Sequence, residues 1–241
     1  MTNLKNIYRL SELPDNLMLS PKFLFDWWDG VIERFGGEVA LTNKSPDFKL
    51  ARELWVAAVF ACCKRLSSQK EHWVSTVSDE APDAWVAYFD IDNIGANRQI
   101  YQIEVTEYDN NAVSLEQVLK KKLDKAYHPT TRIVCYMTRT KSDFTVNLKE
   151  LMEYVQINNP RNYEVWLLGG FTPKRDTAKN PQKLFCLTTG EDYQVDMAEE
   201  KLVPNTSEAV WVPTAKSINK KGELTPLGKI TLEFPVIDPA P

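Results

Sequence analysis

The stretches Pro82-Asp83-Ala84-Trp85-Val86-Ala87-Tyr88-Phe89 and Gln99-Ile100-Tyr101-Gln102-Ile103-Glu104-Val105-Thr106-Glu107-Tyr108 are rich in β-branched and aromatic residues, and Asn93-Ile94-Gly95-Ala96-Asn97 lies between them. Two such runs around an Asn/Gly turn predict an antiparallel hairpin. In the second run side chains alternate between faces, so Tyr101, Ile103 and Val105 share an apolar, core-facing side. Gln102, Glu104, Thr106 and Tyr108 then share the opposite side. A two-residue turn at Ile94-Gly95 would set Asp83 opposite Thr106 and diagonal to Glu104 on one face. Cross-strand diagonals span roughly 7 Å, less between side-chain ends, so both carboxylates could reach one divalent ion. A three-residue turn would reverse the parity and turn Asp83 away unless a bulge restores it.

Outward from the hairpin the periodicity changes. Ser45 to Leu66 starts with Ser-Pro-Asp and becomes apolar on almost every side between Leu54 and Cys63, the mark of a buried helix. His72 to Val77 alternates as a short strand. Ser114 to Tyr127 has helical spacing, with Ser114 as N-cap and Pro129 beyond the end. Arg132 to Thr138 reads as a strand, Leu148 to Ile157 as a helix and Val165 to Leu168 as another strand. The order helix, three strands, helix, strand, helix, strand predicts an α/β layer in which an antiparallel hairpin sits inside a mixed sheet flanked by helices. Residues 1–44 read as an N-terminal extension with one helix around Phe23, Trp27 and Trp28, stopped at Gly36-Gly37. Residues 45–171 form the α/β core. Residues 172–241, with short strands at 184–187, 209–212 and 228–234, read as a β-rich C-terminal extension packed on that core.

Composition narrows the chemistry. The 241 residues are 43% apolar and 26% charged, with a net charge of −4, which suits a globular chain with a sizeable core and argues against a general coat for polyanions. No run approaches the ~18 apolar residues of a membrane span, and the start, MTNLKNIYRL, has no apolar signal core, so a cytoplasmic protein without a membrane partner is expected. With only His72 and His128, histidine-rich zinc, iron and copper sites lack ligands. Cys62, Cys63, Cys135 and Cys186 form no CxxC pair and read as reduced core thiols. No GxGxxG, GxxxxGK[ST] or GxSxG occurs, so the chemistry falls to carboxylates, lysines and hydroxyls.

Pro82-Asp83, the hairpin and Ile103-Glu104-Val105-Thr106, flanked by a buried helix carrying Glu53, by the helix from Ser114 and by the strand from Arg132, resemble the PD-(D/E)XK nuclease superfamily of restriction endonucleases, junction resolvases and repair nucleases. The resemblance spans about residues 45 to 140 and implies a restriction endonuclease-like αβββαβ core. It further implies Mg²⁺ (or Mn²⁺) held by Asp83 and Glu104 with Glu53 as a third acid, and hydrolysis of DNA phosphodiester bonds. Where that superfamily has lysine two positions after the second acid, this chain has Thr106. A threonine can hydrogen-bond a water but supplies no positive charge for a developing hydroxide.

Lys122 is the candidate replacement. It lies seven residues after Leu115 and four after Val118, within the apolar stripe of its helix. It reads either as an aliphatic stem packed on the sheet with its ammonium reaching water, or as a lysine migrated into the site. Catalytic candidates are thus Asp83, Glu104, Thr106 and Lys122, and metal candidates Asp83, Glu104 and Glu53. Glu53 also fits an ordinary acid near a helix start, and Asp90 and Asp92 fit turn residues. Lysines and arginines at 120–122, 125, 132, 139 and 141, and again at 174, 175, 179 and 183, suit a phosphate backbone or simply a solvated face. Three readings stay open: a metal-dependent nuclease; an inactive nuclease-fold protein that binds DNA or protein, as a homodimer or with another partner; and an unrelated α/β protein in which the motif is accidental.

Overall fold

The computed structural model describes residues 17–77, 82–89, 98–109, 113–138, 146–169, 182–195, 208–211 and 228–231. The turn expected at 93–97, Asp90 and Asp92, and the basic residues 139, 141, 174, 175 and 179 lie outside them.

Among the described residues ten strands form one mixed sheet in the order β10-β9-β1-β2-β3-β4-β5-β6-β7-β8. At its centre β2 (His72–Ser75), β3 (Ala84–Phe89) and β4 (Arg98–Tyr108) run antiparallel in sequence, and β5 (Thr131–Met137) and β6 (Glu164–Gly169) continue parallel to β4. The crossovers from β4 to β5 and from β5 to β6 carry helices α4 (Leu115–Leu123) and α5 (Leu148–Asn158). Parallel neighbours need such crossovers, whereas antiparallel neighbours do not. β7 (Gln182–Cys186) and β8 (Asp192–Val195) extend one edge, while β1 (Leu17–Leu19), β9 (Glu208–Trp211) and β10 (Gly228–Thr231) extend the other. Segments from the first 44 residues and from beyond residue 171 therefore contribute strands to the same sheet as the central segment.

Helices cover both faces. α1 (Pro21–Phe35), the short α2 (Gly37–Thr42) and the 23-residue α3 (Pro46–Ser68) pack with Tyr101, Ile103, Val105, Val134 and Trp166 into the larger core. α3 is buried on nearly every side from Ala51 to Cys63, as its unbroken apolar run demands. On the opposite face Leu115, Leu119 and Leu123 of α4 and Leu151 and Val155 of α5 close over Ile133, Cys135, Val165 and Leu167. β4, β5 and β6 are thus covered on both sides.

Several expectations change. Gly36 ends α1 at a φ of 84°, but Gly37 opens a second helix, so the first 44 residues carry two helices instead of one. α4 stops at Leu123, four residues short of the expected Tyr127, and Ala126 is exposed. Its apolar stripe ends with Leu123, and the following Asp-Lys-Ala offers nothing to bury. The Ser114 cap is present, its hydroxyl accepting from the Gln117 amide. β1 and β8 have no counterpart in the sequence reading; three or four residues carry too little periodicity. Hairpin pairing sets Ala84 against Ile103 instead of Val105, a slip of two that keeps the parity and brings Asp83 level with Glu104. All four cysteines are free and buried, and burial pushes the Cys62 and Cys135 thiols up to about 12, which removes them as nucleophiles. No helix among the described residues is long and apolar enough to cross a membrane.

Candidate functional site

The site lies where β3 begins and β4 runs on. β4 continues from Glu104 to Tyr108 beside β5, while β3 provides no partner beyond Ala84. Among the described residues one edge of β4 is therefore unpaired there, and a buried amide must find another acceptor. Asp83 supplies it: its Oδ2 accepts from Val105 N–H at 2.7 Å. The carboxylate is thereby fixed in the gap between the two faces of the sheet.

Alternation along β4 points Glu104 toward α4, and α4 makes that face an interior, so Glu104 is only 3% exposed. Lys122, whose side chain is 19% exposed, donates from Nζ to Glu104 Oε1 at 2.5 Å. Tyr127 donates its hydroxyl to the same oxygen at 2.9 Å. Among the described residues Glu104 Oε2 is buried with no hydrogen-bond partner. A buried carboxylate oxygen without a donor is costly and rare, and a cation is one group that would satisfy it.

Glu53 approaches from the other side on α3, where Lys49, one turn earlier, pairs with it at 3.2 Å. Burial and then the charge of Asp83 raise the Glu53 carboxyl to about 7, against the pull of Lys49 and Lys122. Burial and the charge of Glu104 likewise raise Asp83, while the Val105 amide lowers it. Asp83 is the link in this chain of acids, since it feels Glu104 and is felt by Glu53. Burial and Glu104 push the Tyr127 phenol well up, so that it remains a donor.

A cavity of about 290 Å³ opens over this end of the sheet, with Glu53, Asp83, Thr106 and Lys122 in its wall and Lys44, Lys49 and Arg52 toward α2 and α3. Glu104 is not in the wall; it lies behind Lys122 and Tyr127. Lys44 and Lys49 remain largely exposed, with side chains 75% and 65% accessible, although they pair with Glu107 and Glu53. Arg52 is buried and braces the end of α2 through Ala40 O and Asn43 O, both at 3.0 Å.

Asp83, Glu53, Thr106 and Lys122 thus meet around one cavity, with Glu104 immediately behind it. Sequence reasoning missed Lys49, whose spacing from Glu53 was legible, and Tyr127, which lies past the end of α4 and had no signal. Hard divalent cations take oxygen ligands, and the orphaned Glu104 Oε2 together with Asp83 fits Mg²⁺ or Mn²⁺ in kind. Among the described residues no group of three or more His, Cys, Asp or Glu side chains is placed to hold a metal ion. Two carboxylates completed by water and phosphate oxygens remain within the habit of Mg²⁺. Compared with known proteins, the chain matches no protein-family model, no curated protein and no solved structure.

Proposed function

We propose that this chain is a nuclease-fold protein of the PD-(D/E)XK type in which Asp83 and Glu104, with Glu53 beside them, take Mg²⁺ or Mn²⁺ for hydrolysis of DNA phosphodiester bonds. The observation that carries the reading is Glu104 Oε2, buried and unpartnered next to an Asp83 held by the backbone at the open edge of β4. The helix, the antiparallel β2-β3-β4 trio, α4 and the parallel β5 follow the order that the motif calls for, which supports it further. A bound cation would polarise the phosphate and lower the pKa of a water. Thr106 and Lys122 are the groups placed to orient that water, and the exposed Lys44 and Lys49 suit the phosphates of an approaching strand.

One observation favours a second reading, an inactive relative that binds DNA or protein. Lys122 is engaged by Glu104, and Thr106 brings no charge, so no described cation stands free to steady a hydroxide at that point. Titration calorimetry with Mg²⁺ and Mn²⁺, paired with cleavage assays on single- and double-stranded DNA, separates the two. The nuclease reading expects binding that Asp83→Ala or Glu104→Ala removes, and cleavage that Lys122→Met lowers by on the order of 10² to 10⁴. Binding without cleavage selects the inactive reading, and Thr106→Lys would then restore some turnover. No binding at millimolar metal defeats the cation site altogether.

A further inference from the structure

Glu104 is held asymmetrically. The Lys122 ammonium and the Tyr127 hydroxyl both donate to Oε1, at 2.5 and 2.9 Å, and Oε2 receives nothing from the described residues. Tyr127 is in turn anchored well beyond α4. Its amide donates to the Tyr163 hydroxyl at 2.7 Å, and that hydroxyl shares its proton between Tyr127 O at 3.1 Å and Lys125 O at 3.2 Å. The two rings meet edge to face with centroids 5.7 Å apart. Tyr163 is clamped at its own backbone by the Asn159 amide, which donates to Tyr163 O at 2.7 Å and accepts from Tyr163 N at 2.9 Å. A rigid chain of contacts therefore runs from the end of α5 to one oxygen of one buried carboxylate. A residue needed only to fill space at this point would require no hydroxyl directed at the site.

We propose that Tyr127 is a positioning residue of the cation site: with Lys122 it saturates Glu104 Oε1 and so presents Oε2 alone, making Glu104 a one-oxygen ligand for a divalent cation. The inference rests on the cation reading given above. Partners that orient a ligating group typically alter metal affinity by about 10- to 100-fold when removed.

The test is Mn²⁺ titration of the full chain, followed by electron paramagnetic resonance, for the wild type, Asp83→Ala and Tyr127→Phe, with far-ultraviolet circular dichroism confirming that each is folded. Tyr127→Phe keeps the ring against Tyr163 and removes one oxygen, so the expected result is Mn²⁺ affinity at least tenfold weaker with an unchanged dichroism spectrum. An infrared difference spectrum on Mn²⁺ addition, wild type minus Glu104→Gln, supplies a reading that a structural role would not move and that needs no Tyr127 variant. A wide separation of the Glu104 carboxylate bands, as for a one-oxygen ligand, is expected. Wild-type binding with Tyr127→Phe unchanged overturns this inference alone, as does a narrow, chelating separation in the wild type. No Mn²⁺ binding by the wild type overturns the cation site and this inference with it.

Discussion

A carboxyl raised to about 7 in the folded chain should leave a signature in stability, and Glu53 has one of definite sign. Its ordinary value is 4.5, and burial followed by Asp83 lifts it. At pH below about 4.5 the acid is protonated in both states and the folded state carries no penalty. As pH rises from there through about 7, the unfolded chain gives up the proton first, so stability falls across that window. The metal-free protein should therefore lose roughly 1–3 kcal/mol between pH 5 and 8 from this group, and Glu53→Gln should flatten the slope. Urea unfolding at several pH values in EDTA checks it; an equal slope in both proteins would show that Glu53 ionises normally. The pattern was half legible. A two-residue turn would put Asp83 and Glu104 on one face and a three-residue turn would not; the observed register, two residues from the first of these, keeps its parity. That Glu104 would be buried was not legible, because burial came from α4 crossing a face that alternation marks as the polar one.

At the scale of elements, α4 has the task of bringing a cation to that buried acid. Its stripe of Leu115, Leu119 and Leu123 enters the core shared with β5, β6 and α5 while the helix lies against β4 and α5, and Lys122, three residues after Leu119, lies along the edge of the stripe and reaches Glu104. Leu119 is wholly buried. Leu119→Ala should cost about 2–5 kcal/mol, the range for deleting a large buried aliphatic side chain. On the proposed cation site it should also weaken Mn²⁺ binding, since the helix that aligns Lys122 is no longer seated. Lys121→Ala, on the exposed side, should change stability by no more than about 0.5 kcal/mol. Chemical denaturation and Mn²⁺ titration of the two variants give the comparison, and equal effects would refute the role assigned to the stripe. The start of α4 was readable from Ser114, whose cap is a local hydrogen bond. Its end was not, because Lys122 and Ala126 both fit a helical repeat on paper and only packing distinguishes the turn that finds a surface.

For the whole molecule, α3 is the internal support on which one face of the sheet rests. Phe60 meets Tyr101 of β4 and Trp166 of β6 edge to face, at centroid distances of 5.8 and 5.6 Å, and Lys64 lies over all three rings while pairing with Glu164 at 3.0 Å. Aromatic contacts of this kind add to the area they bury. Phe60→Ala should therefore cost about 3–5 kcal/mol. Because the contact joins a helix to two strands two places apart in the sheet, tryptophan fluorescence and far-ultraviolet dichroism should shift to lower urea together. Separate transitions would show that the two ends of the sheet unfold independently.

What the sequence by itself determined is what depends on neighbours along the chain: the positions of α3, β3, β4, β5, α5 and β6, the Ser114 cap, and the two hairpin strands that carry Asp83 and Glu104, with their relative parity left to the turn. These follow from hydrophobic period, capping and counting, all of them local. Only the tertiary structure decided that the face carrying Glu104 is interior, that Lys122 and Tyr127 share one of its oxygens, and that Glu53 comes close enough to Asp83 to resist ionising. Those outcomes depend on which helix crosses which face, and on segments as distant in sequence as Tyr163 and Glu104 meeting at Tyr127. No periodicity records such encounters, because their energy arises from surfaces that become neighbours only once the sheet has formed.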